Sequence, residues 1–69
     1  MPIFHFDIDD GLRVEDPIGL DCRSEDDAKK TADLFARQIA IDLDADGEDR
    51  SLVVIDEAGS EIYTAPIKA

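Results

Sequence analysis

Apolar and polar residues alternate from Ile3 to Asp9, with Phe4, Phe6 and Ile8 on one side and Ile3, His5 and Asp7 on the other. A period of two predicts a half-buried strand. Asp10-Gly11 follows, and both residue types tolerate positive φ, so a hairpin turn is expected. Leu12, Val14 and Asp16 continue the alternation as a short second strand. Pro17 withdraws a ladder donor and marks that strand as an edge, and Gly19 frees the chain to turn.

The period then changes. Ala28, Ala32, Phe35, Ala36, Ile39 and Leu43 recur at spacings of three and four, which predicts one apolar stripe on a helix from about Glu25 to Leu43. Ser24 is its N-cap, and Glu25, Asp26 and Asp27 set carboxylates at the positive end of the helix dipole. Alanines dominate the stripe, so the helix can lie close to a sheet. Gly47, within residues 44–49, supplies the break. Leu52 to Ile55 is a continuous run rich in β-branched residues, expected as a central strand with both faces at least partly covered. Residues 57–60 form a turn, and Glu61 to Ile67 is the last strand, with Pro66 at an edge.

The order is strand, strand, helix, strand, strand. It predicts a single α+β domain over residues 1–69: a ββαββ plan, with a four-stranded, mainly antiparallel sheet and one helix on one face. The first and third strands are the most apolar and belong in the middle, giving the order 2-1-3-4. A grasp-like order, with the first and last strands adjacent and parallel, is the alternative.

Size and charge narrow the function classes. With 69 residues the core is one thin layer, so a groove or an interface is easier to build than a deep active site. Hydrophobic residues at 43% place the chain among globular rather than disordered sequences. Seven basic residues against 18 acidic ones leave a net charge of −11. That argues against nucleic acid and anionic lipid as partners, since phosphate contacts need clustered Lys and Arg. No apolar run is long enough to span a membrane, and Met1-Pro2-Ile3-Phe4-His5-Phe6-Asp7 does not read as a secretory leader. One cysteine, Cys22, makes no intrachain disulfide, which suits a cytoplasmic protein.

The ordered pieces also resemble a known family. They are the aromatic strand Phe4-His5-Phe6 closed by Asp10-Gly11, then Asp16 and Gly19, then the helix alanines Ala28, Ala32, Ala36 and Ala40, then Val53-Val54-Ile55-Asp56-Glu57-Ala58-Gly59 and a strand from Ile62 to Ile67. In order and spacing the chain resembles a domain-of-unknown-function family of small alphaproteobacterial proteins of about this length. The resemblance implies a shared ββαββ plan and a bacterial source. It implies no active residues.

Several constellations could carry chemistry. Asp42-x-Asp44-x-Asp46-Gly47 matches the first six positions of a calcium loop, with oxygen ligands at alternate positions and a glycine for the sharp turn. Glu48 and Asp49 could add ligands, but the twelfth position is Val53 where a bidentate Glu should stand. Carboxylates at a helix C-terminus repel the dipole, and a bound Ca²⁺ would relieve that cost. The plainer expectation is a solvated acidic loop and no cofactor. Asp7, Asp9, Asp10, Glu15 and Asp16 form a second acidic cluster, expected as a charged turn that discourages edge pairing. His5 is a lone histidine on the face opposite Phe4 and Phe6, a poor metal site without a second His or Cys. Cys22 precedes a helix N-terminus and adjoins Arg23, a setting that can activate a thiol, though a small residue tucked under the helix is the simpler expectation.

Leftover apolar surface points elsewhere. Leu34 and Ile41 lie one heptad apart, away from the main stripe. Only one sheet face can meet a single helix, yet Ile3, part of Leu52 to Ile55, and either Ile62 or the set Tyr63, Ala65 and Ile67 fall on the other. The expectation is a small non-enzymatic interaction module, with a homodimer as one form, using Leu34, Ile41, Ile3 and Tyr63. Calcium binding through Asp42, Asp44, Asp46 and Glu48 is an alternative, as is an acidic mimic of nucleic acid that binds a basic protein.

Overall fold

The computed structural model describes residues 2–42 and 50–67. Its elements are β1 (Ile3–Asp9), β2 (Arg13–Val14), β3 (Leu20–Asp21), α1 (Glu25–Asp42), β4 (Ser51–Ile55) and β5 (Glu61–Pro66). The sheet runs β2-β1-β4-β5, all antiparallel, and β3 also pairs with β1. The predicted ββαββ plan and strand order therefore hold, and the grasp-like alternative does not.

The expected second strand is shorter than its alternation suggested. β2 pairs Ile8 with Val14 and Asp9 with Arg13, then the chain leaves the ladder. It returns as β3, which pairs Ile3 with Asp21 and Phe4 with Leu20 along the same edge of β1. This edge strand is thus in two pieces. Pro17 lies in the gap, where it has no ladder donor to give.

α1 begins where Ser24 predicts. The Ser24 Oγ accepts the Asp27 N–H at 3.2 Å, and the Asp27 carboxylate accepts the Arg23 N–H at 3.2 Å, so donors at the helix start find partners. The helix lies over β4 and β5. Its buried line is Ala28, Ala32, Ala36 and Ala40, a spacing of four with side chains small enough for close approach. Phe35, expected in the stripe, sits instead on its flank. It is 40% exposed and meets Phe6 edge-on, with ring centroids 5.5 Å apart.

Between helix and sheet lie Phe4, Phe6, Cys22, Leu52, Val54, Ala65 and Ile67, all buried. A β-bulge settles which residues of β5 join them. Val54 pairs with Tyr63, but its neighbour Ile55 pairs with Glu61, leaving Ile62 as the extra residue. Tyr63 and Ala65 consequently face the helix, while Glu61 faces the other way.

Candidate functional site

The far face of the sheet carries no helix, yet Val53 at its centre is only 3% exposed and Asp7 only 5%. Arg13 explains both. Its register opposite Asp9 aims its side chain across this face. Nη1 reaches Asp7 Oδ2 at 3.3 Å, and Nη2 reaches Glu61 Oε2 at 3.2 Å and Asp9 Oδ2 at 3.9 Å. The diagonal from β2 to β5 passes over Asp7 and Val53, so the Arg13 side chain does part of a covering layer's work. The hydrogen bond to Glu61, opposed by partial desolvation, raises the guanidinium above its already high pKa.

Beside this diagonal, residues 15–19 are tied down by carboxylates. Asp7 Oδ1 accepts the Asp16 N–H at 3.0 Å. Asp16 Oδ2 accepts the Phe6 N–H at 3.2 Å, and its Oδ1 accepts the N–H groups of Ile18 and Gly19, each at 3.1 Å. Partial burial pushes the Asp16 carboxyl up. The donors from Gly19, Phe6 and Ile18, with the nearby His5, outweigh that and hold it below its ordinary value. His5 Nδ1 lies 2.8 Å from the Asp16 carbonyl oxygen, which can only accept, so Nδ1 carries the proton and donates. Gly19 adopts φ 80°, and a Cβ there would stand 2.5 Å from Ile3 Cγ2 and 3.1 Å from the Phe4 carbonyl oxygen.

His5, Asp7, Glu15, Asp16, Pro17 and Ile55 line a depression of about 350 Å³ at this point. Its chemistry is limited by what its groups already do. Both carboxylate oxygens of Asp7 and of Asp16 accept hydrogen bonds from the protein itself, and His5 spends one ring nitrogen on the backbone. Among the described residues no three His, Cys, Asp or Glu side chains are grouped to hold a metal ion.

The second acidic cluster is therefore two different things. Asp9 at the end of β1 and Asp10 in the turn have carboxylates that accept the N–H groups of Gly11 and Leu12. Asp7 and Asp16 are not part of a charged turn but buried or half-buried ties. The pattern held a signal for this: an acid in mid-strand, opposite Phe4 and Phe6, with an Arg just past an Asp-Gly hairpin. The register opposite Asp9 makes Arg13 diagonal to Asp7.

The other candidate residues fall in separate places. Leu34 and Ile41 stand on the outer face of α1, 65% and 58% exposed. Ile3 is exposed at the β3 edge, under Gly19. Tyr63 is half-buried on the helix side. Its O–H donates to Asp33 Oδ1 at 2.9 Å, and Lys29 Nζ lies 5.9 Å from the ring centroid. Of the proposed calcium ligands, Asp42 closes α1, while its side chain and residues 43–49, which include Asp44, Asp46 and Glu48, lie outside the described residues. Cys22 is buried, and burial, then Asp27 and Asp21, push its thiol pKa up rather than down. No helix among the described residues is long and apolar enough to cross a membrane.

Fold and site together define a ββαββ domain with a split edge strand and a carboxylate-tied connection. The chain belongs to the family described as Domain of unknown function (DUF6894), whose profile matches residues 3–68 of 69. Comparison with curated proteins and with solved structures brings no match.

Proposed function

We propose that this chain is a small non-enzymatic protein-interaction module. The observation that carries the reading is the contrast between its polar and apolar side chains. The carboxylates that could have formed a reactive pair are committed to holding the backbone, whereas large apolar side chains stand in water. Ile18 is 82% exposed, Leu34 65% and Ile41 58%, on a chain with few large apolar residues to spare. Leu34 and Ile41 lie opposite the alanine line, where the intrachain packing of α1 makes no use of them. Apolar groups left exposed on a domain this small are what a partner surface requires.

Site-specific photo-crosslinking inside the source cell tests this. p-Benzoylphenylalanine would replace Leu34, Ile18 or Leu20, with Ser60, exposed in the β4–β5 turn, as control. Discrete adducts from at least one apolar position, absent from Ser60, are expected. An adduct of twice the chain's mass identifies a second copy. If no apolar position exceeds the control, the interaction reading is wrong.

A further inference from the structure

The ties between β2 and β3 converge on one peptide bond, Asp16–Pro17. Pro17 has no N–H, so its nitrogen cannot close onto the Asp16 side chain. The reverse attack stays open, from the Asp16 carboxylate onto its own main-chain carbonyl carbon. A prolyl nitrogen also takes a proton and departs more readily than an ordinary peptide nitrogen.

Three features of the structure bear on that attack. The Asp16 Oδ1 accepts the N–H groups of Ile18 and Gly19, each at 3.1 Å, so the side chain folds over the bond that follows it. The ring closed by the Ile18 hydrogen bond contains the Asp16 carbonyl carbon, which holds nucleophile and target in one turn. The second feature is His5. Its Nδ1–H donates to the oxygen of that same carbonyl at 2.8 Å, where it stabilises the negative charge the oxygen gains on attack. The third is access. His5, Asp7, Glu15, Asp16, Pro17 and Ile55 line the open depression of about 350 Å³, with room for water beside the bond. Asp7 and Glu15 are the other ionisable groups there. Partial burial pushes the Asp16 carboxyl up, but the donors from Gly19, Phe6 and Ile18 hold it below its ordinary value, so it stays ionised and nucleophilic in mild acid.

We propose that Asp16–Pro17 is a self-cleavage site, with the Asp16 carboxylate as nucleophile and His5 as the donor that polarises the carbonyl. Oδ2 is the attacking atom, since it gives up one N–H, that of Phe6, while Oδ1 keeps the turn. An Oδ2–C bond forms and the C–N bond to Pro17 breaks. The electron pair leaves with the nitrogen, which takes a proton from solvent, and residue 16 ends in a five-membered cyclic anhydride. Water opens the anhydride and restores the carboxylate beside a new α-carboxylate. The sum is one peptide bond and one water exchanged for two chain ends, with no oxidation or reduction. β1 and β2 then lie on residues 1–16 and the other elements on 17–69. β1 remains paired with β4, so the product is a nicked domain with a new prolyl N-terminus next to the exposed Ile18. The event is a single turnover within one chain and does not rest on the interaction reading.

The purified full chain is incubated at about pH 5.5, in the range where a His side chain gains its proton, and followed by intact-mass spectrometry. Fragments 1–16 and 17–69, with masses that sum to the parent plus one water, are expected to accumulate at a first-order rate independent of protein concentration. The same chain unfolded in urea at the same pH is expected to cleave about a hundredfold more slowly, the worth of one well-placed donor to the carbonyl oxygen. His5→Phe should bring the folded rate down to the unfolded one, and His5→Asn, whose amide nitrogen stands near the place of Nδ1, should restore part of it. Pro17→Ala, at a position with no ladder bond to lose, should keep the fold and abolish cleavage. Spectral dispersion checks that each variant is folded. An unfolded chain that cleaves as fast as the folded one would overturn the proposal, because the ties would then shield the bond. So would a folded His5→Phe variant that keeps the full rate, cleavage of Pro17→Ala at the same bond, or no fragment after several weeks.

Discussion

The Asp16 carboxylate accepts the Phe6 N–H at 3.2 Å, in the gap where β2 has ended and β3 has not begun. A side chain thus occupies the place of a strand residue along the outer edge of β1. The same carboxylate takes the N–H groups of Ile18 and Gly19, so one residue both closes the ladder and shapes the loop that interrupts it.

Replacing Asp16 by Ala leaves these three donors without their acceptor. We expect a loss of about 2–3 kcal/mol, the cost of unsatisfied, part-buried backbone groups, measured by urea denaturation. Asp16→Asn keeps one acceptor oxygen and is expected to fall between wild type and Ala. If Asp16→Ala matches wild type, water replaces the carboxylate and the tie contributes nothing.

The same residue gives an acid signature. Its pKa is lowered on folding, so the stabilisation is fully present above the ordinary value of 3.8 and is lost as pH falls through the folded value. The stability gap between wild type and Asp16→Asn should therefore be constant from neutral pH down to about 5 and shrink below about 4. Thermal melts of both proteins across that range check the sign. A gap that widens in acid would contradict it.

Asp7 and Arg13 form a part-buried pair, whereas the Glu61 end of the diagonal is open to water. Asp7→Ala is expected to cost about 2–3 kcal/mol, because it strands a guanidinium over the sheet and removes the acceptor of the Asp16 N–H. Glu61→Ala should cost less than about 1 kcal/mol, as exposed pairs do. Equal effects would mean that the two ends are equally buried, against the observed geometry.

Gly19→Ala tests the close approach at Ile3. The new Cβ meets both an unfavourable φ of 80° and the Phe4 carbonyl oxygen, so a loss of about 2–4 kcal/mol is expected by calorimetry. Gly11 also has positive φ, but a Cβ there meets nothing within 4 Å, so Gly11→Ala should cost only the conformational part, about 1–2 kcal/mol.

Cys22 should resist an aromatic disulfide reagent at neutral pH and react at once in denaturant, since the thiol is buried and its pKa is raised. Fast reaction of the folded protein would show that the thiol is open to solvent and activated.

Much of the architecture was legible in the residue pattern, because the period of the apolar positions is a local property. The alternation of Phe4, Phe6 and Ile8, the alanines at spacing four, the Ser24 cap and the β-branched run at Leu52 each determine an element by the geometry of one strand or one helix turn. Pro17 and Asp10-Gly11 determined where the first hairpin could and could not pair. Family membership is legible for the same reason: it rests on the order of those local features across residues 3–68.

Decisions that depend on two distant segments could only come from the tertiary structure. The bulge at Ile62 turns Tyr63 toward the helix and Glu61 toward Arg13, and nothing local to β5 distinguishes the two registers. The return of Leu20–Asp21 to β1 depends on Asp16 filling the intervening gap. The placement of α1 over β4 and β5 leaves Phe35, Val14 and Leu20 exposed, although the residue pattern alone would bury Phe35. Periodicity says which residues share a face; only packing between elements says what, if anything, covers that face.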